Sequence, residues 1–174
     1  MNLIKKIFTI IIIFLSIDTS LNAGTPHFLD FKYILNQSDA GKKAQTYLKK
    51  KLNDGIKNLQ SREKAIQEEE KKIIQQKKVI SAEEYKKKVT NLRNKVAALQ
   101  KERNNLLDNI AKQRSKARTE LLKNLNPIIK EYMAEKKIRM VVDKKSLLLA
   151  DQSLNITDEI VKRLNKKLKS IKLN

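Results

Sequence analysis

The stretch 79–106, VISAEEYKKKVTNLRNKVAALQKERNNL, decides the architecture of this chain. Within it Tyr85, Leu92, Leu99 and Leu106 fall seven apart, and Val89, Val96 and, just beyond, Ile110 supply a second heptad position. Apolar residues at that spacing, with charge between them, make a coiled-coil seam rather than one face of a globular helix. Upstream, Leu52, Leu59, Ile66, Ile73 and Ile80 form another series of seven without a miss. Ser81 lies between the two series, with Glu84 three residues on, a capping-box pattern that starts a new helix. A reversal is therefore expected near 79–82.

The upstream seam is thin. Its companion positions are Ile56, then Glu63, Glu70 and Lys77, so the outer half keeps one apolar residue per heptad. Such a helix needs a neighbour, and the nearest one is the segment that follows. The expectation is a long antiparallel hairpin, 40–80 packed on 83–137, its first arm roughly 60 Å long at 1.5 Å per residue. The alternative, one continuous helix over 40–126, exposes both seams unless a second chain covers them. From Lys42 to Lys137 only Gly55 and Pro127 interrupt good helix formers. Pro127 lacks an amide donor and crowds the preceding turn, which predicts a kink near Asn124–Pro127.

Both ends of the chain read as strands. His27–Phe31 is short and apolar, and Ile138–Asp143 followed by Leu147–Ala150 reads as two strands joined by a turn. An amphipathic helix closes the chain, with Thr157 as cap, Asp158 and Glu159 in its first turn, and Ile160, Val161, Leu164, Leu168 and Ile171 on one face. The fold class is thus mainly α with a small β body. The body comprises 24–39 and 138–174, and the coiled-coil arm comprises 40–137. So few strand residues and one short helix cannot enclose a core, which predicts oligomerisation through the body. Phe28, Phe31, Ile34, Met140, Val141, Val142, Leu147 and Leu149 are the expected residues of that core and interface.

Ahead of all this, Met1–Ala23 carries Lys5 and Lys6, an apolar run from Ile7 to Leu15, and a small residue at its end. That is the pattern of a cleaved secretory signal, and the run is too short to span a bilayer. Leu21 sits where a small residue is usual, so the cut near Ala23 can shift by a residue or two; an uncleaved anchor is the alternative. The chain after the leader carries 37 basic and 18 acidic residues, a formal +19. Such a surface attracts acidic partners. There is no cysteine, so an exported protein of this kind relies on packing or assembly rather than disulfides.

Catalytic material is scarce. His27 has no cysteine or carboxylate motif around it, Asp30 and Asp143 sit where turns begin, and no glycine-rich phosphate loop or metal-ligand spacing occurs. No enzyme and no cofactor are expected. The basic residues are more informative: Lys77, Lys78, Lys86, Lys87 and Lys88 surround the reversal, and Arg103, Arg114 and Arg118 follow along the return arm. Each alone is an ordinary solvated coiled-coil residue. Together they form a surface able to attract an anionic client. Nucleic acid is set aside, because aromatic stacking platforms and recognised motifs are missing.

The stretch Phe28–Ala44, with its Leu35-Asn36-Gln37-Ser38-Asp39-Ala40-Gly41-Lys42 helix start, resembles the beginning of the Skp (OmpH) family of periplasmic chaperones. Ile138–Asp143, a strand ending in Asp, and Ile156-Thr157-Asp158-Glu159-Ile160-Val161 resemble the family's closing segments. The resemblance implies a homotrimer with a β-rich body and three helical arms around a cavity. It implies an ATP-independent holdase for unfolded outer-membrane proteins, with lipopolysaccharide or an anionic phospholipid surface as further partners. An envelope-structural or anionic-lipid-binding coiled coil is the other reading of the same residues.

Overall fold

The computed structural model describes residues 24–173; the predicted leader lies outside them. The chain opens with strand β1, His27–Leu29. Asp30 then ends the strand by accepting the amide of Tyr33 on its side chain, 2.8 Å, and starts helix α1, Phe31–Gln37. The predicted strand His27–Phe31 is therefore too long by two residues, because an Asp in extended conformation is a better helix cap than a strand residue. Ser38 closes α1 with its backbone N–H on Ile34 and opens helix α2, Asp39–Gln76, with its hydroxyl accepting from Gly41. One fully buried serine thus joins two helices.

A turn over 77–80 leads to Ser81, which caps helix α3, Ala82–Lys136. Ser81 Oγ accepts from the Glu84 amide at 3.1 Å, whereas the Glu84 carboxylate pairs with Lys88. Only half of the expected capping box forms. Helices α2 and α3 pack side by side in opposite directions, for ion pairs join Arg62 to Glu102, Glu63 to Arg103 and Glu69 to Lys95. Leu59, Ile73, Leu99 and Ile110 are buried along the seam, while Val96 stays half exposed. Val89 and Ile110, of the same heptad row as Val96, are half-buried and buried, so the exposure is confined to Val96. Helix α3 continues through Pro127, whose exposed ring lies on the face away from buried Leu125 and Ile128.

Lys137 ends α3 in the left-handed conformation (φ 56°), and the amide of Ile138 returns to the Met133 carbonyl. Strand β2, Val141–Asp143, follows and pairs parallel with β1, His27 opposite Val141 and Leu29 opposite Asp143. The expected strand Leu147–Ala150 does not form. Asp143 caps a single 3₁₀ turn, Lys144–Ser146, and Leu148 and Leu149 are left 102% and 95% exposed, with no strand beside them. The third neighbour of the sheet is instead Asn155, bridged to Phe28, and the Ile156 amide bonds the Phe28 carbonyl.

Helix α4, Thr157–Lys167, ends earlier than its apolar face suggests. Thr157 is not its cap. The buried Thr157 hydroxyl accepts from the Asp30 amide at 2.8 Å and donates to Asn155 Oδ1 at 2.6 Å, and Asn155 Oδ1 also accepts the Thr157 amide. The helix start is thereby tied to the end of β1. Leu29, Ile34, Leu121, Leu125, Ile128, Ile156, Ile160 and Leu164 form the main core, drawn from both chain ends and the last third of α3. Beyond α4 the chain runs back along the helix pair, where Leu173 is buried with Ala44, Leu48, Ile110 and Ala117.

Candidate functional site

The expected body residues divide sharply. Phe28 and Ile34 are fully enclosed, Phe31 is half-buried under the Arg118 guanidinium (5.7 Å to its ring centre), and Val141, Val142 and Leu147 are half-buried. Met140 and Leu149 face outward. A shallow cavity of about 530 Å³ lies beside β2, walled by Phe31, Ile129, Met133 and Val141. One apolar side of this small sheet is thus unsealed within the chain. Sequence reasoning passed over Leu29, Leu125 and Ile156 as core residues. The helical spacing Leu121–Leu125–Ile128 was the available signal, masked by the attention Pro127 draws.

The expected basic residues are spread along the arm. Lys86 and Arg118 are separated by about 50 Å along α3. At the reversal, Lys77 lies 5.8 Å from the Tyr85 ring, Lys87 pairs with Glu83, and Lys88 reaches Gln76 and Glu84; Lys78 and Lys86 are exposed. Exposed Ile74 and Val79 sit among them. Arg103, mid-arm, is occupied by Glu63. Arg114 and Arg118 belong to a different place, a cavity of about 830 Å³ at the base of the helix pair, between α1, α2 and α3.

Electrostatics elsewhere support the body rather than chemistry. Arg163 on α4 joins Glu135 at 2.8 Å and Glu159 at 3.1 Å, and its guanidinium stands 4.8 Å over the Tyr132 ring. The Arg163 hydrogen bond holds the Glu135 carboxyl below the usual carboxylate range, and the two carboxylates raise Arg163 in return. Asp151 is lowered by the backbone and side chain of Ser153, as expected of a turn cap. His27 Nδ1 lies 3.1 Å from the Thr25 carbonyl. Among the described residues no group of His, Asp and Glu is placed to hold a metal, and no helix is long and apolar enough to cross a membrane.

A sequence model of the family "Outer membrane protein (OmpH-like)" matches residues 27–164. The chain belongs to the OmpH-like family. This is a family of outer-membrane chaperones, and the match runs from β1 into α4, so it takes in the sheet, both long helices and most of the closing helix. Among solved structures, a crystal structure of a candidate OmpH-like outer membrane chaperone from Caulobacter crescentus CB15 superposes with a TM-score of 0.80. The likeness covers 87% of this chain and 90% of that one at 20% identity, and so speaks for the fold. No curated protein sequence matches the chain.

Proposed function

We propose that this OmpH-like chain is an ATP-independent periplasmic holdase that shields unfolded outer-membrane proteins between the helical arms of a homotrimer. The observation that carries this reading is the union of a long two-helix arm with a body whose sheet, among the described residues, has two three-residue strands. A sheet so small is not stable by itself. Met140, exposed beside it, and the exposed Leu148 and Leu149 of the following loop are the surface through which further copies would complete the core. We assign 24–39 and 138–174, together with the last turns of α3, to the body, and the rest of α2 and α3 to a hairpin arm. Three parallel arms would enclose a space lined with lysine and scattered apolar side chains. Unfolded barrel strands expose alternating apolar residues and unpaired edges, which such a space can hold weakly and at many points.

The purified chain without its leader is expected to suppress aggregation of an unfolded outer-membrane barrel without ATP, less effectively at high salt. No suppression at about a threefold molar excess refutes the reading. The trimer has its own test: Val141→Asp should give monomers in sedimentation, and an unchanged mass would remove β2 from the assembly core. Exposed Ile74 and Val79 among tip lysines favour a second reading, an anionic-lipid-binding coiled coil. Flotation with anionic vesicles and no chaperone activity would select it.

A further inference from the structure

Three features of the cavity at the base of the arm bear on what it can hold. Its floor is apolar, made by Leu35, Leu48, Leu52, Ile110 and Leu121. Its rim carries Lys42, Lys49, Arg114 and Arg118, and no acidic residue lines it. Lys42, Lys49 and Arg114 have no carboxylate within ion-pair distance among the described residues, whereas Glu63 lines the grooves farther out along the same helices. Cations that stay unpaired around an apolar floor attract an anionic group attached to an apolar one.

The third feature is a pair of side-chain amides that a peptide backbone can use. On the rim, Gln45 Nε2 donates to Asn36 Oδ1 at 2.6 Å. This leaves the Asn36 amide hydrogens and the Gln45 carbonyl unused, one donor and one acceptor side by side. A peptide bond offers the complementary pair, whereas an acyl chain offers neither. From Gly41 to Leu52 the cavity follows α2 for about 17 Å, the length of about five residues of extended chain. Leu173 packs on the same helix rows without lining the cavity, so the described residues of the chain's own tail do not fill it.

We propose that this cavity captures an extended peptide segment whose apolar side chains are flanked by carboxylates. The apolar side chains enter between α2 and α3, the Asn36–Gln45 pair takes a backbone amide, and Lys42, Lys49 and Arg114 meet the carboxylates. The proposal rests on the holdase reading and gives it a specific entry point, distinct from the lysines at the tip.

The test uses a fluorescent ten-residue peptide of alternating leucine, valine and tyrosine with two aspartates at each end, and its counterpart with lysines instead. Anisotropy should show the acidic-ended peptide binding about tenfold or more tightly, with the gap narrowing at high salt. Lys49→Glu with Arg114→Glu should lose that affinity and gain affinity for the lysine-ended peptide, a reversal that a misfolded protein could not produce. Because the chain has no cysteine, Thr46→Cys on the rim provides a single crosslinking point, which should capture a cysteine-bearing acidic-ended peptide. Equal binding of the two peptides, or an equal loss from Lys86→Glu with Lys87→Glu at the tip, overturns the proposal. So does protection of Thr46→Cys by phosphatidylglycerol vesicles but not by peptide. If aggregation of a whole barrel is suppressed while neither peptide binds, the cavity proposal fails and the holdase reading stands. Peptide binding without suppression has the opposite meaning.

Discussion

Replacing Gly41 with alanine drives a methyl group into backbone. A Cβ at this buried position would lie 1.9 Å from the Leu35 carbonyl oxygen and 2.9 Å from both the Leu35 carbonyl carbon and Ser38 Oγ. Comfortable contacts between such atoms begin at about 3.5 Å. The Leu35 carbonyl belongs to α1, whose end is held by the Ser38 amide on Ile34, so it cannot retreat unless α1 parts from α2. Alanine is favoured over glycine in a helix by about 0.5–1 kcal/mol. Overpacking costs about 1–3 kcal/mol and sometimes more, and an obstacle made of backbone belongs at the upper end. The net loss expected is about 2–3 kcal/mol, which for a domain of this size lowers the melting temperature by about 5–10 °C. Gly55→Ala is the control. Its Cβ would meet Leu106 methyl groups at 2.6 and 2.7 Å, and that side chain can rotate away. Strain and improved propensity then nearly cancel, leaving a change within about 1 kcal/mol. Melting followed by helical circular dichroism at one fixed protein concentration makes the comparison. A Gly41→Ala protein that melts at or above the wild-type temperature refutes the reasoning, as does a larger loss from Gly55→Ala.

Thr157→Val keeps the shape of a buried residue and removes the acceptor for the Asp30 amide, leaving that donor unpaired. A loss of about 1–3 kcal/mol is expected in chemical denaturation, and no loss would show that this tie between β1 and α4 is immaterial. Glu135 gives a pH dependence whose sign follows from its lowered carboxyl. A depressed carboxylate contributes stability above its ordinary titration range, and that contribution disappears as pH falls through the lowered folded-state value. Glu135→Gln should therefore melt slightly below wild type at neutral pH, with the two curves merging in acid; a gap that widens in acid contradicts the assignment.

What was legible in the sequence is what neighbouring residues decide. Seven-residue spacing through Leu52, Leu59, Ile66 and Ile73 and through Leu92, Leu99 and Leu106 marks the contact of two long helices, and Ser81 marks where the second begins, since periodicity and capping act within a few residues. The sheet was not legible in this way. Each strand has three residues, and β1 finds its partner on the far side of the whole helix pair, so no local pattern could state the pairing or its parallel sense. Leu147–Ala150 looked like a strand because propensity measures how well residues suit a pleated surface, without reporting whether one is present. Thr157 was misread for a related reason: its hydroxyl serves a residue 127 positions away. Arg114 and Arg118 were picked out by charge alone, and only the packing of α1 against α2 and α3 separates them from the tip lysines.

The knot of contacts joining Phe28, Asp30, Asn155 and Thr157 also fixes an order of events. Ribosomes deliver β1 first and Asn155 and Thr157 among the last residues. The first strand must therefore wait, unpaired, through the making of both long helices, whose contacts are local enough to form early. Completion of the body becomes a proofreading step: a chain cut short before α4 can zip its arm yet cannot close its base. Truncated products would then present Phe28, Ile34 and Leu125 to solvent.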